Sequence, residues 1–189
     1  MNLSGRIDAV VMGASAGGIQ ALKVLLPALS PGLRAPVLIV LHLPRDKPSM
    51  LPEIFSTRCA VPVREAEDKE TVASGTVYFA PSNYHLLLDR GPQLALSADE
   101  PVHNSRPSID VLFESAADVY KERLLGIILT GANEDGAAGL ACIKDAGGMT
   151  VVQEPETAQA PTMVKAALAL RPADWVLPLD GIAALLQAA

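Results

Sequence analysis

Aromatic side chains make up only 4% of the 189 residues, and the chain holds three histidines and two cysteines. The apolar half comes mainly from Ala, Val, Leu and Ile, which suits aliphatic strands buried between helices and suffices for a core without disulfides or metal staples. Cys59 and Cys142 are far apart and form no CxxC pair, so they read as two ordinary buried thiols of a reducing compartment. The histidines and cysteines lack ligand spacing and the carboxylates do not gather into a hard-cation cage, so neither a metal nor a cofactor is expected. No run of Lys and Arg accompanies the net charge of −6, which argues against a nucleic-acid partner. No apolar stretch approaches the roughly 20 residues that span a bilayer. Met1 to Gly5 is too short and polar for a secretion signal, so a cytoplasmic location is expected. The length fits one domain over residues 1–189.

What is present is an alternation of short aliphatic runs with helical patterns. Ile7–Met12 and Pro36–Leu41 read as strands buried on both faces, and Gly17-Gly18 opens a helix carrying Ile19, Leu22, Leu25 and Leu26. A helix is expected from Met50 to about Arg58, then a strand over Thr76–Ala80, and a β-hairpin from His85 to Ser97. Ser108 has the place of an N-cap for a helix that buries Ile109, Leu112 and Phe113. Leu124–Thr130 is a further strand, and a helix from Gly136 to Ala146 stops at Gly147-Gly148. Met149–Gln153, helical residues after Pro161, a short segment at Trp175–Leu177 and a helix from Asp180 complete the chain. The order implies an α/β fold with a doubly wound, mostly parallel sheet flanked by helices and a hairpin at one edge.

Open parallel sheets bind ligands beyond the carboxyl ends of their strands. Ser15 lies three residues past Met12, His42 directly past Leu41, and Asp135 a few residues past Thr130, so all three meet at that edge. A serine hydroxyl does not ionise near neutral pH and needs a base, and the base needs a carboxylate to fix its tautomer. His42 and Asp135 fill those places, with Glu134 the nearest rival to Asp135. Gly13-Ala14-Ser15-Ala16-Gly17 matches a G-x-S-x-G elbow between strand and helix. Backbone N–H groups of Ala16 and Ala132 are the candidate oxyanion donors. Ser15 could instead be a small turn residue or an anion ligand at a helix N-terminus. A dinucleotide site is disfavoured, because the pattern is Gly13-x-Ser15-x-x-Gly18 and His42 stands where a ribose-binding acid would be. His85 reads as structural, while His103 sits in a loop that could line the site.

Val10–Gly18, then Leu41-His42-Leu43-Pro44, then Ile128–Gly131 through Glu134-Asp135-Gly136-Ala137 resemble the catalytic domain of bacterial chemotaxis receptor methylesterases. Tyr78–Pro81 with Tyr84-His85-Leu86, and Ser105–Phe113, fit the same pattern. The resemblance implies hydrolysis of γ-glutamyl methyl esters on chemoreceptors, deamidation of particular glutamines, and a triad matching Ser15, His42 and Asp135. Ala16 departs from the family's Thr, Ala132 from its Met, and Ala160–Met163 from its G-M-P motif. Family members usually carry a receiver domain, absent from these residues. A stand-alone enzyme, control by a receiver protein in trans, and an excised domain are therefore all open. A non-catalytic binding or regulatory module that keeps the fold is the alternative function.

Overall fold

The computed structural model describes residues 5–43 and 50–188; Pro44 of the second motif lies outside them. Its centre is a seven-stranded sheet, entirely parallel, in the order β3-β4-β2-β1-β7-β8-β9. The strands are β1 (Ala9–Ala14), β2 (Val37–Leu41), β3 (Val63–Glu65), β4 (Val77–Phe79), β7 (Leu124–Ile128), β8 (Met149–Gln153) and β9 (Trp175–Leu177). The main helices are α1 (Gly18–Leu25), α2 (Leu51–Ser56), α3 (Ile109–Tyr120), α4 (Ala137–Asp145), α5 (Thr162–Leu170) and α6 (Leu179–Gln187). From β1 the chain passes through β2 to the edge strand β3, comes back to insert β4 between them, then crosses to the other flank of β1 as β7. The switch point therefore lies between β1 and β7, where such sheets open a crevice.

Successive side chains of a strand point to opposite faces, and β1 uses both. Val10, Met12 and Ala14 join a core with Leu22 and Leu25 of α1, Phe55 of α2 and Ile182 and Leu186 of α6. Ala9 and Val11 join the other core, with Ile109, Leu112 and Phe113 of α3, Leu140 and Ile143 of α4, and Val164 of α5.

Four details differ from expectation. β1 continues through Gly13 to Ala14, so Ser15 follows the strand directly rather than as the third residue past its end. Gly13 stays in the strand because it pairs with Val40 and Ile128, and α3 packs so closely on it that a Cβ there would fall 2.4 Å from Ile109 Cγ2. The hairpin, β5 (His85–Asp89) with β6 (Gln93–Ser97), forms its own two-stranded sheet instead of extending the large one. It lies against α3, where Leu88 N–H donates to Ser115 Oγ at 3.1 Å. The edge strand β3 has no sequence signal, since Val63-Arg64-Glu65 lacks an aliphatic run. Cys142 is exposed on α4 and Cys59 only half-buried, so neither is an ordinary core thiol.

Gly139 is where α3 and α4 touch. A Cβ at that position would lie 2.5 Å from Phe113 Cβ and 3.1 Å from Asp110 Cα. The Gly139 N–H also donates to Asp110 Oδ1 at 2.6 Å. Gly139→Ala therefore forces the helices apart and is expected to cost about 1–3 kcal/mol, as overpacking of a tight core does. A urea unfolding curve measures this as a lowered midpoint with an unchanged slope.

Candidate active site

Strand register brings the first two site residues together. Ala14 pairs with Leu41 and Gly13 with Ile128, so the next residues along, Ser15, His42 and nearby Thr130, leave the sheet side by side. His42 N–H donates to Ala14 O at 3.1 Å and Ser15 N–H to Thr130 O at 3.0 Å, which extends both pairings past the strand ends. Gly17 then turns the chain at φ +82°, a conformation that costs a glycine little, and α1 begins at Gly18. Ser15 O accepts from Gly18 N–H at 2.8 Å, and Ala16 O accepts from Thr130 Oγ1 at 2.9 Å. Both peptide planes after Ser15 are thereby fixed. Among the described residues the Ala16 and Ala132 N–H groups make no hydrogen bond, and both alanines are exposed.

Asp135 lies in the loop before α4, with its carboxylate completely buried. One oxygen, Oδ1, accepts from Ser108 Oγ at 2.8 Å and Asp110 N–H at 3.0 Å. The other, Oδ2, accepts from Ile109 N–H at 2.7 Å and lies 2.8 Å from His42 Nε2. Ser108 is thus not a side-chain cap of its own helix; Asp135 fills that place from a distant loop and satisfies the first N–H groups of α3. Burial alone would raise the Asp135 pKa, yet the hydrogen bonds from His42, Ile109 and Asp110 and the attraction of His42 hold it below the ordinary carboxylate range. An ionised carboxylate only accepts, so His42 Nε2 carries a proton, and in the neutral ring the lone pair is on Nδ1.

Ser15 and His42 share a cavity of about 210 Å³ with Gly17, Ile19, Leu43 and Gln159. Among the described residues the Ser15 hydroxyl makes no hydrogen bond, so its rotor is free. Glu134 has an exposed side chain and pairs with His103 Nδ1 at 3.4 Å, while Asp135 takes His42. His103 also lies 3.4 Å from Asp110, and the three line a separate cavity of about 380 Å³ between α4 and α5. Burial raises the Asp110 pKa; the Gly139 N–H and His103 oppose this, and Asp135 and Glu114 add to it. His85 is buried, with Nδ1 accepting from Ser108 N–H at 3.1 Å, and so braces the turn into α3.

Two supports escaped sequence reasoning. Ser108 had a helix-start signal, but nothing in the spacing names Asp135 as its partner. Thr130 had none: its N–H donates to Gln153 Oε1 at 2.9 Å and its Oγ1 accepts from Ala160 N–H at 2.8 Å, which ties the loop after β8 to the elbow.

The family model described as CheB methylesterase matches residues 10–186. A Leptospira interrogans relative is 47% identical over 178 residues, covering 94% of this chain and 92% of its own length. A protein-glutamate methylesterase/protein-glutamine glutaminase of Symbiobacterium thermophilum is 41% identical over 92% of this chain, which spans only 48% of that longer relative. The crystal structure of the Thermotoga maritima CheB methylesterase catalytic domain superposes with a TM-score of 0.91 at 33% identity, covering 96% of this chain and 97% of that one.

The native Asp135 carboxyl binds a proton less readily than the unfolded one, so it stabilises the fold above the unfolded value of about 3.9. That contribution is lost as pH falls through the lower native value. Asp135→Asn removes the charge and is expected to cost on the order of 3 kcal/mol at neutral pH. Urea midpoints of the two proteins are expected to converge on acidification; a constant gap would contradict the assignment.

Proposed function

The chain belongs to the CheB methylesterase family, and we propose that it hydrolyses γ-glutamyl methyl esters on a protein substrate and deamidates glutamines by the same route. The observation that carries this reading is the line from the N-terminus of α3 through Asp135 to His42, whose strand end adjoins that of Ser15. Ser15 Oγ attacks the γ-carbonyl carbon while His42 Nδ1 takes its proton. The imidazolium so formed is stabilised by the ionised Asp135. Collapse of the tetrahedral intermediate expels methanol, or ammonia from a glutamine, with the proton returned from His42. Water, activated by the same ring, then releases glutamate and regenerates Ser15. The ring bonds its carboxylate through Nε2, so the base is Nδ1, the reverse of the serine-protease assignment. Ala16 and Ala132 supply backbone N–H groups to the oxyanion.

Within the same proposal the substrate is a chemoreceptor, the enzyme works in the cytoplasm, and a receiver protein acting in trans is its regulator. Methanol release from methylated receptor tests the catalytic part. Ser15→Ala is expected to lower the rate by at least about a thousandfold, and adding His42→Ala is expected to cost little more, since the pair works as a unit. Equal rates for native protein and Ser15→Ala would leave Ser15 without a role.

A further inference from the structure

Two polar side chains in the wall of the Ser15 cavity, Gln20 and Gln159, are unused by the triad, and only Gln159 reaches it from outside the α1 segment. Gln159 precedes α5 and borders the same space as Ser15, Gly17 and His42. Its side chain rests on the elbow itself: a Cβ at position 17 would fall 2.8 Å from both Cβ and Oε1 of Gln159. The glycine therefore leaves nothing between this carboxamide and the turn that carries the nucleophile. Among the described residues the Gln159 side chain makes no hydrogen bond, so the carboxamide, which rests with Oε1 toward the elbow, is free to turn its N–H groups into the cavity.

The loop that presents it is fastened on both sides. Gln153 Nε2 donates to Thr157 O at 3.1 Å, Ala160 N–H donates to Thr130 Oγ1 at 2.8 Å, and Gly131 N–H donates to Ala160 O at 2.9 Å. Thr130 also holds Ala16 O, so one hydroxyl locks the platform of Gln159 and the peptide that follows the nucleophile. A donor that must not reorganise as charge develops is best carried on such a scaffold.

We propose that the Gln159 carboxamide is an oxyanion donor of this esterase, working beside the Ala16 N–H. The claim rests on the esterase reading above. When Ser15 Oγ bonds to the γ-carbonyl carbon, the carbonyl π pair moves onto oxygen and the hydroxyl proton moves to His42. Gln159 Nε2–H donates to that oxygen, more strongly as it becomes negative, so its effect falls on the transition state rather than on substrate binding.

Initial rates on methylated receptor are to be compared for the native chain, Ser15→Ala, Gln159→Leu and Gln159→Glu, with thermal midpoints of each. Gln159 is exposed, so neither of its variants is expected to lose the fold. Gln159→Leu is expected to lower kcat by about 10²–10³-fold with KM nearly unchanged, as removal of one oxyanion donor does. Gln159→Glu is expected to fall further, because an ionised carboxylate cannot donate and repels the oxyanion. A role in loop packing alone would not produce that order. A native kcat retained in Gln159→Leu, a loss confined to KM, or a Gln159→Glu rate at or above that of Gln159→Leu would overturn the proposal. A Ser15-dependent native rate untouched by Gln159→Leu overturns it alone, whereas native rates equal to those of Ser15→Ala overturn it together with the esterase reading.

Discussion

A single buried carboxylate at the N-terminus of a helix organises this site. Asp135 has no exposure to water, a position that an ionised group can hold only when its oxygens are fully engaged. The first N–H groups of α3 and the Ser108 hydroxyl supply that engagement, and the positive end of the helix favours the charge. The same contacts that let the protein bury Asp135 also keep it ionised, and only an ionised Asp135 dictates which nitrogen of His42 carries the proton. Stability and the chemistry of the site thus draw on one set of hydrogen bonds.

Much of the surrounding architecture can be understood as what α3 needs in order to reach that carboxylate. Gly13 on β1 leaves room for Ile109, the first residue of the helix, and Gly136, in the left-handed region at φ +95°, turns the Asp135 loop beneath the same side chain. His85 and Ser108 brace the turn into the helix from the hairpin side. On the opposite flank, Thr130 and Gln153 join the loops after β7 and β8 to the Ser15 elbow. The Ser15 side is therefore held by side-chain hydrogen bonds between loops, and the His42 side by a helix end.

The parallel sheet was legible because β1, β2, β7 and β8 are mainly aliphatic runs, each followed by a turn or helix signal. That Ser15, His42 and Asp135 would meet was legible because a doubly wound sheet sends its strand ends to one edge, whatever their order in the chain. The length of β1 was misjudged because Gly13 reads as a stop, whereas its pairing with Val40 and Ile128, remote in sequence, carries the strand on to Ala14. The hairpin was placed at the sheet edge because local sequence encodes pairing between adjacent strands but not the helix on which they pack. The partners of Asp135 were hidden for a similar reason: Ser108 carries the local signal of a helix cap, while the group that caps α3 is 27 residues away. Cys142 was misread because α4 shows a weak apolar stripe, which leaves the direction of that position undefined.

Asp135 fixes the neutral His42 ring with Nε2–H on the carboxylate, which leaves Nδ1 for the serine. Nitrogen-15 NMR of the His42 ring, at a pH where the imidazole is neutral, measures this tautomer directly. A protonated Nε2 and an unprotonated Nδ1 are expected, with the preference weakened in Asp135→Asn. A neutral ring protonated at Nδ1, or a tautomer ratio indifferent to that substitution, would contradict the account.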